Sequence, residues 1–313
     1  MRKRVICLLL VLLFLLPGCG RRAKPDSGKL QVVCTLFPYY DFVRQIGGDD
    51  VDVTLLVAAG REAHSFEPTP LDVITLSQAD VFIYNGGESE VWVEDILAAS
   101  GESIGTVLAM MDYADTLAEE VAEGMQVREE DDEEEDEIEY DEHIWTSPVI
   151  AMELCRVIGQ TLMDADPAHA ENYQARLDGY LAELTELDGA FRQVVDGAQR
   201  TTLVFGDRFP LLYFCRTYGL DYRAAFHGCA SDTEPSLHTL KYLIDKVNDE
   251  HIPVVYTIEL SSRKIADAIA DTTGARVLTF QSCQTVSRTD FDAGETYLSL
   301  MRRNVDALKE GLS

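Results

Sequence analysis

This sequence is short of basic residues relative to acidic ones, has 6 histidines and holds no closely paired cysteines. Lys and Arg number 26 against 55 Asp and Glu, for a formal net charge of −29. A chain so acidic offers no basic face to a phosphate backbone, so nucleic acid is excluded and the partner is neutral or cationic. The 7 cysteines include no CxxC pair, which removes zinc-finger and thioredoxin readings. No HExxH stretch occurs, so the helix-borne site of many zinc hydrolases is missing. Past the N-terminal run no apolar segment reaches membrane-spanning length, and no repeat of solenoid period is visible.

What is there begins with Met1-Arg2-Lys3-Arg4 and an apolar run from Val5 to Leu16, a basic head and a core too short for a stable span. This pattern predicts an export signal over residues 1–19. Leu16-Pro17-Gly18-Cys19 resembles the bacterial lipoprotein cleavage box, with Pro17 a departure from it. On that reading Cys19 is lipidated and anchors the protein outside the cytoplasm at the cell membrane; an ordinary signal peptide or an anchor helix is the alternative. Residues 20–29, with Arg21, Arg22, Lys24, Pro25 and Gly28, read as a flexible tether. Disulfides persist in exported chains. Cys229 and Cys283, both in loops after predicted strands, form the expected pair, with separate thiols as the alternative. Cys34, Cys155 and Cys215 lie in apolar patterns and read as small core residues.

Strand-like runs alternate with helical ones from Leu30 onward, the pattern of an α/β chain with parallel sheets covered by helices. Strands are predicted over 30–36, 51–57 and 81–84 in the first half, and over 201–205, 222–226, 254–258 and 276–280 in the second. A helix from Asp166-Pro167 to about Val195 would be roughly 45 Å long at 1.5 Å per residue; two helices meeting near Gly189 are the alternative. The fold class expected is α/β: two similar lobes, each a parallel-sheet α/β sandwich, joined by a long helix with a metal cleft between the lobes. The first lobe covers 30–165, the linking helix 166–198 and the second lobe 199–313. An acidic loop over 127–142 interrupts the first lobe, and twelve of the fourteen residues from Glu129 to Glu142 are Asp or Glu. Such a run is self-repelling and predicts disorder, and its field gathers cations.

In open α/β sheets ligands bind outside the carboxyl ends of the strands. Candidate metal-binding side chains stand there: His64, His143, Asp207, Glu259 and, as a further possibility, Gln281. Two imidazoles with one or two carboxylates make a four-coordinate site that suits zinc and is acceptable to manganese or iron. Each residue alone is more often a cap or a solvated side chain; the set carries the reading.

Three segments add a resemblance. They are Glu62-Ala63-His64-Ser65-Phe66-Glu67-Pro68, Glu142-His143-Ile144-Trp145-Thr146-Ser147-Pro148 and Gly294-Glu295-Thr296-Tyr297-Leu298-Ser299-Leu300-Met301. With them the chain resembles the cluster A-I solute-binding proteins of zinc and manganese ABC importers over nearly its whole length after the signal. The resemblance implies that His64 and His143 are ligands. Where family members place a His or a Glu after the first strand of the second lobe, this chain has Asp207. Where they place a final Asp it has Gln281, a poor ligand for a transition metal, so Glu259 is expected to substitute. The implied function is capture of a divalent metal, Zn2+ with Mn2+ as the alternative. A monomer would then deliver the ion to an ABC permease and its ATPase, without catalysis. A metal-dependent hydrolase and a surface adhesin are the rival readings.

Overall fold

The computed structural model describes residues 28–100, 104–125, 138–228 and 234–313. The export signal, Cys19, most of the tether, the acidic run up to 137 and Cys229 lie outside the described residues.

Two four-stranded parallel sheets form the frame. The first holds β1 (Leu30–Cys34), β2 (Val51–Leu55), β3 (Val81–Tyr84) and β4 (Thr106–Ala109) in the order β2-β1-β3-β4. The second holds β5 (Thr202–Phe209), β6 (Asp221–His227), β7 (Val254–Thr257) and β8 (Arg276–Thr279) in the order β6-β5-β7-β8. The same order in both sheets makes the lobes similar, and in each the chain leaves the first strand for one side and returns on the other. Val81, Phe82 and Ile83 are all buried, as a strand covered on both faces requires. β4 had no counterpart in the sequence reading. It is a short edge strand in which only Leu108 is buried, so it carries little apolar signal.

The helices of the first half are α1 (Phe37–Gly47), α2 (Pro70–Leu76), α3 (Trp92–Ser100) and α4 (Pro148–Ala165). Pro38 sits in the first turn of α1, where a missing N–H costs nothing, and Gly48 ends the helix at φ +54°. Thr69 and Asp72 cap α2 reciprocally. The second half carries α6 (Leu212–Tyr218), α7 (Leu237–Asp249), α8 (Lys264–Thr273), α9 (Arg288–Asp292) and α10 (Tyr297–Gly311).

Between them runs α5 (Ala170–Asp196), 27 residues and roughly 40 Å long. It passes unbroken through Gly189, so the two-helix alternative is set aside. Its buried residues Tyr173, Leu177, Tyr180, Leu184, Leu187 and Phe191 recur every three or four positions and form one apolar stripe. That stripe packs on α1, α4 and α10, and Arg176 ties it to the first lobe through Ile46 O, Gly47 O and Asp50. One hydrophobic cluster runs from Leu30 to Leu312 through this helix, so the lobes share a core. Leu184→Ala in the stripe would cost about 2–5 kcal/mol. Cys34, Cys155 and Cys215 are buried free thiols in or beside this core. Among the described residues no helix is long and apolar enough to cross a membrane.

Candidate metal centre

Each sheet reverses its strand order between two neighbours, β1 and β3 in one lobe, β5 and β7 in the other, and clefts open beyond the carboxyl ends of such pairs. The chain leaves β3 as Asn85-Gly86-Gly87-Glu88-Ser89-Glu90. Asn85 is fully buried; its side-chain oxygen accepts from the Tyr39 hydroxyl and its amide donates to the carbonyl of Glu142 at 3.0 Å. Glu90 accepts from the N–H groups of Asn85 and Gly86 at 2.6 and 2.9 Å. Burial pushes its carboxyl up to about 7 in spite of those bonds. Glu142 accepts from the Ser89 N–H at 2.8 Å and from the Ser89 hydroxyl. Both halves of Glu142 are thereby docked on the end of β3, and His143 is the next residue.

His143 is 1% exposed. Its backbone N–H donates to Asp141 Oδ1 at 2.8 Å, and its ring Nδ1 lies 3.2 Å from the same oxygen. A carboxylate can only accept, so Nδ1 carries a proton, and in the neutral ring Nε2 holds the lone pair. That Nε2 is buried with no hydrogen-bond partner among the described residues. The ring stands edge-on to Trp145, 5.5 Å between centroids. Gly228 backs the ring: a Cβ there would sit 3.0 Å from its Cε1. Burial alone would lower the imidazole's proton affinity, but the Asp141 charge and hydrogen bond, with Glu142 and Glu119 beyond, raise it. The Tyr213 hydroxyl donates to the Asp141 carbonyl at 2.7 Å and steadies this support from α6.

His64 lies in the 3-10 turn Ala63–Ser65 after β2, and its side chain is outside what the structure describes. The segment before it is tied to the second lobe. Gly60 N–H donates to Val286 O at 2.8 Å, and Arg208 Nη2 reaches both carboxylate oxygens of Glu62 at 3.3 Å.

Asp207 was expected in a loop after the strand; it stands inside β5, which continues past it. The register of β5 shifts between Phe205 and Arg208, a bulge that re-aims the side chain between them. Gly206 is required there because a Cβ would fall 2.5 Å from Ala266 Cα. The two Asp207 oxygens accept from Arg208 N–H at 2.9 Å and Ile258 N–H at 3.2 Å. Glu259 follows β7, 8% exposed, and its two oxygens accept from the hydroxyl and N–H of Ser282 at 2.6 and 2.7 Å. Burial raises its pKa and the Ser282 bonds oppose the rise. Leu260 and Cys283, at φ +61° and +60°, bracket that contact in a left-handed conformation that non-glycine residues rarely adopt. Asn304 on α10 pins the backbone of Gln281, accepting from its N–H at 2.7 Å and donating to its carbonyl at 2.8 Å.

The lobes meet at this point. Trp145 Nε1 donates to Ser282 O at 2.8 Å, Tyr297 OH to Trp145 O at 2.7 Å, and Tyr297 N–H to the buried Asp41 at 2.8 Å. The structure therefore brings the His143 and Glu259 segments together through Ser282, and Asp207 to Glu259 through Ile258. Among the described residues, however, no three His, Cys, Asp or Glu side chains gather as a group that could hold an ion. Asp207 and Glu259 spend oxygens on protein donors, though a carboxylate has lone pairs for more than two. Cys283 is fully buried with no disulfide partner among the described residues, its pKa raised by burial; its expected partner Cys229 is outside them.

Sequence reasoning missed Asp141, Asn85, Glu142 and Ser282, which position the candidates. It also missed His227, an imidazole at the end of β6 lying 3.0 Å from Glu119. The strand-end rule that found His64 and His143 could have found it too.

Comparison with known proteins agrees with this geometry. The family described as zinc-uptake complex component A, periplasmic (ZnuA), matches residues 32–311. The high-affinity zinc uptake system protein ZnuA of Bacillus subtilis is 30% identical over 95% of this chain and 94% of its own length. The zinc-binding lipoprotein AdcA of Streptococcus pneumoniae is 30% identical over 99% of this chain, which spans 61% of AdcA. The crystal structure of the Zn(II)-bound ZnuA-like domain of that AdcA superposes with a TM-score of 0.73 at 29% identity, covering 91% of this chain and 99% of the domain. With two same-order parallel sheets on one helix and a family match that spans residues 32–311, the chain belongs to the ZnuA family of zinc-uptake binding proteins.

Proposed function

We propose that this protein captures zinc outside the cytoplasm and hands it to an ABC permease driven by its ATPase. The observation that carries the reading is His143: one ring nitrogen held by Asp141, the other buried without a partner among the described residues. A buried, unsatisfied nitrogen costs free energy, and a metal ion recovers it. The carboxylate–imidazole arrangement is the one that orients metal-bound histidines. His64 supplies the second imidazole, and Asp207 and Glu259 supply carboxylate oxygens after partial release from their present donors. Gln281 is the weakest of the candidates. The site works by binding alone, in keeping with the zinc-uptake family whose model matches residues 32–311. Cys19 supplies the lipid anchor, and the protein acts as a monomer.

The test is a competition titration of residues 20–313 with zinc and with manganese, alongside His143→Ala, His64→Ala and Asp207→Ala. One tightly bound zinc, weakened at least tenfold by each substitution, about 1.4 kcal/mol, supports the reading and the ligand set. Preference for manganese would keep the site and change the cargo. Absence of tight binding would sink the capture function, and a silent Asp207→Ala would remove that residue from the set.

A further inference from the structure

We infer that Arg208 and Glu62 form a latch that clamps the His64-bearing turn of the first lobe onto the Asp207-bearing bulge of the second and sets how fast a captured ion escapes. The inference rests on the zinc-capture reading.

Arg208 serves both sides of the cleft. Its backbone N–H donates to Asp207 Oδ1 at 2.9 Å, while its guanidinium reaches both oxygens of Glu62 at 3.3 Å. Glu62 occupies the N-cap position of the Ala63–Ser65 turn, two residues before His64, so a pull on its side chain acts directly on that turn. The pair is partly shielded, with side chains 24% and 38% exposed, and so is less weakened by solvent than an open surface pair. A second tie lies two residues upstream, where the Gly60 N–H bonds to Val286 O at 2.8 Å. Two cross-lobe bonds within three residues fix this segment to a lobe it does not belong to. Because the lobes share one core, the segments at the cleft are the parts left to open.

Charge and tether make opposite demands here, which separates them by experiment. A guanidinium beside a cation site repels the cation, so if Arg208 acted only through its charge, removing it would slow zinc release. If it acts as a latch, removing it frees the turn and speeds release.

Zinc release into excess chelator, followed by stopped flow on the full chain, distinguishes the two. The latch predicts that Arg208→Gln and Glu62→Gln each speed release at least tenfold. It also predicts that Arg208→Lys falls between them and the unaltered protein, and that the exchanged pair Glu62→Arg with Arg208→Glu recovers most of the loss. Unchanged or slower release in Arg208→Gln overturns the latch, as does an exchanged pair no better than the single variants. Amide hydrogen exchange over residues 58–66 of the metal-free protein gives a readout that needs no zinc. The latch predicts that Arg208→Gln loses protection at Gly60 and at Phe66, whose N–H closes the turn onto Ala63 O, and unaltered protection would also overturn it. If the unaltered protein binds no zinc, the capture reading falls, and the exchange data still decide whether the clamp exists.

Discussion

Asp141 accepts a hydrogen bond from Nδ1 of His143 at 3.2 Å, and across the ring Nε2 is buried with no partner among the described residues. Asp141 thus fixes the tautomer and the aim of the nitrogen that meets the ion. Asp141→Asn keeps the size of the side chain and removes its charge. Partners of this kind change metal affinity by 10–100-fold, so competition titration of Asp141→Asn should give a loss in that range with stability nearly unchanged. An affinity within twofold of the unaltered protein would mean that Asp141 does not position the ring.

The twelve carboxylates between Glu129 and Glu142 predict an effect on capture rate. Replacing those from 129 to 137 by Asn and Gln should slow zinc association at low ionic strength and leave release unchanged. The difference should vanish at high salt, where the Debye length shrinks to a few ångströms. A change in release rate would place these carboxylates in the site itself.

Glu90 predicts a pH dependence of folding. Its native pKa, pushed by burial from 4.5 to about 7, lies above the unfolded value, so the proton is bound more tightly in the native state. Its contribution is fully present below pH 4.5 and is lost as pH rises through about 7, on the order of 3 kcal/mol in all. In urea unfolding of the metal-free protein from pH 4.5 to 8, Glu90→Gln should flatten that part of the slope. Parallel pH profiles for the two proteins would show that Glu90 does not titrate in this range.

Gly87 is needed for two reasons: its φ is +87°, and a Cβ would lie 2.6 Å from the Glu142 carboxyl group. Gly87→Ala should destabilise the protein by about 1–3 kcal/mol and displace Glu142 from Ser89. Gly294→Ala is the control, with a similar φ of +79° but nothing within 4 Å, and should lose less. Equal losses in thermal unfolding would leave the Glu142 contact without weight.

The buried strands were legible in the sequence because apolar runs such as Val81–Tyr84 have no other explanation between helical stretches. The long helix was legible in the spacing of Tyr173, Leu177, Tyr180, Leu184 and Leu187. β4 was not, being an edge strand with one buried residue. β5 was read as ending at Phe205 because Gly206-Asp207-Arg208 breaks the apolar pattern, and a bulge carries the strand through that polar triplet. At the site, ligand-type residues at strand ends could be named from the sequence. Their supports could not: Asn85 reaches Glu142 across 57 positions and Trp145 reaches Ser282 across 137. Nothing in the linear order announces such pairs. Nor could the sequence reveal that Asp207 and Glu259 already have protein donors.

The shared core along α5 makes the two lobes one mechanical body. A body braced along one core has little room to advertise its cargo by changing its outline. Whatever docks against it must sense the ion through the few segments that touch the cleft, so the signal for a full carrier is local texture rather than overall shape.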